Sequence, residues 1–252
     1  VTEAEWLTSD DPYRMMYFVL RQKGMQRRKD GRRKLRLFAS FSCRQLWHAM
    51  TDERSRRAVE VAERFADDRA CLEEAERVRE EALQAHSSIH DQYYADTDGF
   101  AARGRLRGWL GTDERVAAQS AGFLLSQRPM EFAYVELYSE YNEYDPEYPI
   151  FHLRRVAQAQ VLRCIFGELF RPVAICPVWW TATSLALAHT AYDERIVPSG
   201  LLDRDRLGVL SDALEDAGCE ETTLLDHLRG TGPHARGCWA LDLLIGKRGR
   251  KP

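Results

Sequence analysis

The feature that most constrains this chain is a helix pattern that recurs along its length with almost no strand alternation. Leu35, Phe38, Ala39, Ser42, Cys43 and Leu46 fall near i, i+3, i+4 and i+7, so they share one face of a helix. Ala58, Val61, Ala62, Phe65 and Ala66 repeat the pattern, as do Leu153, Val156, Ala157, Val161, Cys164 and Ile165, and then Leu207, Leu210, Ala213, Leu214 and Ala217. Start signals precede these stripes. Thr51-Asp-Glu-Arg offers a capping hydroxyl followed by acids in the first turn, and the same four letters return at Thr112. Thr181 or Thr183, and Asp203 or Asp205, open later helices, while Gly167 and Gly218 close two. The last helix is expected over about 236–245, opened by Pro233. Only Phe132–Leu137 alternates enough to suggest a strand.

The predicted fold class is therefore all-α, an irregular multi-helix bundle in two closely packed lobes. One domain spans 1–252, with lobes 1–90 and 112–247 joined by a connector, 91–111, that carries Gly99, Gly104, Gly108 and Gly111. With 252 residues, 44% of them hydrophobic, and a formal net charge of -3, the chain is neither disordered nor a wholly basic nucleic-acid binder. No apolar run reaches membrane-spanning length, and the N-terminal residues lack the pattern of a secretory leader. Six cysteines, none in a CxxC pair, point to reduced thiols in a cytoplasmic protein. Cys43 and Cys164 lie in apolar helical context and read as small buried thiols.

The blocks TEAEWL…DP, RKLRLFA…CR..W and DERSRRAVEVAERFAD resemble an uncharacterised family of planctomycete-type bacterial proteins. IFG…FRPV, LALAHTAYDER, LSDALEDAGC and LLDHLRGTGPHARGCWALDLLIGK extend the likeness over most of 3–247. It is weakest at 87–149, where this chain carries an acidic insert, and the basic loop 22–33 is enlarged. The resemblance implies a bacterial, cytoplasmic protein and no named reaction.

Four metal-ligand types cluster late in the chain: Cys219, His227, His234 and Cys238, spaced C-x7-H-x6-H-x3-C. Zinc takes four such donors when it is structural. The spacing matches no common zinc class, and the simpler reading comes first: Cys219 a buried thiol, His227 a helix-end cap, Cys238 core. On that reading no cofactor is expected, with a structural zinc as the alternative. If zinc binds, all four positions are filled by protein and the site is not hydrolytic. Arg229, His234 and Arg236 around RGTGPHARG form a candidate anion site at a helix start, against a plain helix turn in which both arginines bond carboxylates.

Residues 21–36 hold nine basic residues and one acid. Arg27, Arg28, Lys29, Arg32 and Arg33 are the candidate phosphate contacts, although no base-reading motif accompanies them and a solvated face explains them more simply. The acidic stretch with Tyr138, Tyr141, Tyr144 and Tyr148 is a candidate surface for a protein partner or a second copy. Nucleophile and HExxH patterns are missing. His189, four residues before Asp193 and five before Glu194, is the one conceivable acid–base patch. The sequence thus favours a non-catalytic protein-interaction or regulatory module, with nucleic-acid or anion binding, or a small enzyme with an unrecognised site, as alternatives.

Overall fold

The structure is a computed structural model that describes residues 1–95, 117–126, 149–170, 172–174 and 176–247. The described chain is all-helical. The helices are α1 (Glu3–Thr8), α2 (Pro12–Leu20), α3 (Lys29–Arg44), α4 (Glu53–Ala66), α5 (Leu72–Ala95), α6 (Pro149–Phe166), α7 (Ala182–Asp193), α8 (Arg204–Asp216), α9 (Thr222–Arg229) and α10 (Trp239–Leu244), with residues 117–123 also helical. Among the described residues, β structure is limited to an antiparallel pair, β1 (Arg195–Ile196) with β2 (Leu201–Leu202), and a bridge from Leu201 to Ala235. The expected strand at 132–137, residues 96–111 of the connector and all four tyrosines of the acidic stretch lie outside the described residues, while 91–95 continue α5 as helix.

Local chemistry sets the helix starts. Asp52 accepts the Arg54 amide at the head of α4. Thr181 and Ser184 form a reciprocal capping box at α7, and Asp203 accepts two amides at α8. Gly218, at φ 81°, ends α8 in the left-handed turn that a glycine enters without strain.

The chain divides into two compact units, and the division differs from the sequential lobes 1–90 and 112–247. One unit joins 1–34 to 150–252, and the other is 35–149. In the second unit α4 packs on α5 through Ala58, Val61 and Ala62 against Ala75, Val78 and Ala82, all essentially buried. In the first, α7 to α10 enclose a core of Ala188, Ala191, Leu207, Leu210, Leu224, Leu228 and Leu241. Arg163 on α6 donates to the carbonyls of Trp6 and Ser9, which ties the N-terminal helix to α6.

The basic run folds differently from a solvated loop. Its second half is α3, and Arg33, Lys34 and Arg36 are buried there. Arg33 pairs with Asp242 and donates to the Tyr192 hydroxyl; Lys34 donates to the Ile165 carbonyl in the last turn of α6. Within the other unit, Arg36 donates to the carbonyls of Leu124 and Ser126, and Arg44 to Glu63. Burying a cation is costly unless it is paired and hydrogen-bonded, so each takes an acceptor: Arg33 and Arg44 a carboxylate, Lys34 and Arg36 backbone carbonyls at or near helix ends.

Candidate metal centre

Three parts of one unit bring together four potential ligands. Cys164 stands near the end of α6, and His227 in the last turn of α9. His234 lies in the segment that follows, where its carbonyl accepts the Leu202 amide at 2.8 Å. Cys238 is the residue before α10. The donor atoms of Cys164, His227, His234 and Cys238 all lie within 4.8 Å of one another.

Backbone geometry explains the convergence. The last helix does not begin at Pro233; Ala235 bridges to Leu201, and the chain then turns through Gly237 at φ 85°. Any side chain at that φ is strained, so glycine there lets Cys238 swing back beneath His234. The Cys238 amide closes the turn onto the Ala235 carbonyl at 3.0 Å. Gly167 leaves room at the end of α6: a Cβ there would sit 3.0 Å from Cδ1 and Nε1 of Trp239, a contact the indole must give way to, so glycine lets the end of α6 meet the start of α10 closely. The Trp239 ring in turn lies 5.0 Å from that of His227, and the two imidazoles meet edge to face at 4.8 Å.

Distances within the quartet fit a tetrahedral ion. Zn–S near 2.3 Å and Zn–N near 2.0–2.1 Å imply a sulfur–nitrogen edge of about 3.6 Å. Cys164 Sγ and His234 Nδ1 are 3.6 Å apart, and His227 Nε2 and Cys238 Sγ 3.3 Å. The widest separation, at most 4.8 Å, exceeds a tetrahedral edge by only ~1 Å, within the reach of side-chain rotation. Burial pushes the Cys164 thiol well above its ordinary range, and the adjacent Cys238 adds to the rise. Cys238 is subject to the same burial, yet Cys164 and the two imidazoles hold it well below its ordinary range. His234 Nε2 is buried with no hydrogen-bond partner among the described residues, which costs stability. Two thiols and two imidazoles facing one another in an apolar core match the ligand set of a structural zinc centre.

Three of the four ligands anticipated from the sequence are here; the fourth is Cys164, not Cys219. Cys219 follows Gly218 and bonds back through its amide to the Leu214 carbonyl, so it packs at the α8–α9 corner, where burial raises its thiol pKa. Sequence proximity selected Cys219. Cys164 sits 63 residues before His227, and its apolar setting gave no sign of a ligand.

The other candidates fall differently. The anion trio does not form. Arg229 is clamped by Asp212 and Glu215 of α8, His234 belongs to the quartet, and Arg236 faces Asp193 at 3.6 Å beside the Tyr192 ring. Arg33 leaves the phosphate-contact set because it is buried on Asp242, whereas Arg27, Arg28, Lys29 and Arg32 are exposed. His189 is exposed, and its neighbours Asp193 and Glu194 pair with Arg236 and Arg206. No helix among the described residues is long and apolar enough to cross a membrane. Comparison with protein-family models, with curated proteins and with solved structures finds no match to this chain.

Proposed function

We propose that the chain is a zinc protein, in which Cys164, His227, His234 and Cys238 hold one ion that fastens α6, α9 and α10 together. The convergence of two thiols and two imidazoles from separate elements within 4.8 Å carries this reading. Four protein donors complete a tetrahedral shell, so the ion's task is to hold the fold, not to activate water. The C-terminal helices are short, and a bound ion replaces part of the apolar core that longer helices would supply. Elemental analysis of protein purified without added metal tests the zinc reading: one zinc per chain is expected, and sub-stoichiometric metal that does not rise on zinc addition would overturn it.

A further inference from the structure

We propose that this centre is also an oxidation-sensitive clasp, in which a peroxide converts Cys164 and Cys238 into a disulfide and expels the ion. The inference rests on the zinc reading above and adds its regulation. The two thiols are not equally placed. Cys164 and the two histidines line a cleft of about 340 Å³, walled by Gln160, Arg163 and Asp226. Both sulfurs are buried, Cys164 at 2% exposure and Cys238 at 0%, but Cys238 does not line the cleft. A small oxidant arriving through the cleft therefore meets Cys164 first. Behind it stands a second sulfur no more than 4.8 Å away, so closing to a disulfide needs a move under about 3 Å.

The chemistry balances with hydrogen peroxide as the named oxidant. The Cys164 sulfur attacks one peroxide oxygen as its own proton is lost; an S–O bond forms, the O–O bond breaks, and the departing hydroxide takes up that proton to become water. The Cys238 thiolate then attacks the Cys164 sulfur; the S–S bond forms, the S–O bond breaks, and a second hydroxide leaves as water after protonation. The two sulfurs give up two electrons and peroxide takes them. Only two imidazoles remain for the ion, and it departs. Cys71 and Cys176 are exposed but lie outside the quartet, so their oxidation leaves the ion in place.

The test uses the full chain with Cys71→Ser and Cys176→Ser, two exposed positions whose replacement spares the fold. Metal content is measured first, then hydrogen peroxide is added beside a chromogenic zinc chelator, and disulfides are mapped by peptide mass spectrometry. Release of one zinc per chain with a Cys164–Cys238 disulfide, both reversed by dithiothreitol and zinc, is the expected result. Zinc present at the outset and retained through oxidation, or released without that disulfide, overturns the switch and leaves the zinc reading standing. Absence of zinc before peroxide overturns both.

Discussion

Arg33 grips Asp242 with both terminal nitrogens, at 2.5 and 2.9 Å, in the interior of one unit, and its second nitrogen also donates to the Tyr192 hydroxyl at 2.6 Å. Asp242 lies one turn beyond Cys238, and its amide bonds the Cys238 carbonyl at 2.9 Å. The pair therefore fixes the helix that carries one ligand of the metal centre. Removing one partner leaves the other as a buried uncompensated charge. Asp242→Ala should lower stability to urea by about 3–5 kcal/mol, and the double change Arg33→Met with Asp242→Leu should cost less than the single one. A double variant less stable than Asp242→Ala would mean that the ion pair contributes more than its own desolvation.

The two cysteines that compete for the fourth position behave oppositely. Cys164→Ser should weaken zinc binding beyond the roughly 10–100-fold that loss of an outer-shell partner produces, while Cys219→Ser should leave affinity unchanged. Competition with a calibrated chelator measures both. Equal losses would place Cys219 in the coordination shell.

Gly167→Ala puts a methyl group 3.0 Å from the Trp239 indole, which is itself buried. Overpacking of this kind costs about 1–3 kcal/mol, and here it pushes the end of α6 from the start of α10. Both urea stability and zinc affinity should fall. Lost stability with intact affinity would show that the ligands adjust independently of this contact.

Asp52 caps α4 and binds Arg54 through its side chain; that hydrogen bond, with the capping amide, holds the Asp52 carboxyl below its ordinary pKa despite partial burial. A lowered folded-state pKa gives stability that is complete above the ordinary carboxylate range and vanishes as the pH falls through the lowered value. Asp52→Ala should cost about 1 kcal/mol at neutral pH, and the gap to the parent should close in acid. A gap that stays constant with pH would assign the loss to packing alone.

Helix existence was readable from the sequence because it rests on local chemistry. Thr181, Asp203 and Gly218 sit where capping requires them, and on α4 Ala58, Val61, Ala62 and Ala66 are buried as their spacing demands, while Phe65 is half-buried. What escaped was long-range. Arg33, Lys34 and Arg36 belong to a basic run whose composition suggests solvent, yet their acceptors lie on segments 209, 131 and 88 residues away. Cys164 was hidden for the same reason. A ligand that arrives from a distant helix leaves no spacing in the sequence, while Cys219, close in sequence, points into a different corner. The late start of α10 followed from one backbone angle at Gly237, which the PHARG string does not announce.

Cobalt substitution tests the central claim most directly. Metal-free protein titrated with Co²⁺ should develop the intense visible ligand-field bands of a tetrahedral ion together with thiolate-to-metal charge transfer, saturating at one ion per chain and bleached by one equivalent of Zn²⁺. Weak octahedral-type absorption, or no charge-transfer band, would contradict a centre built from Cys164, His227, His234 and Cys238.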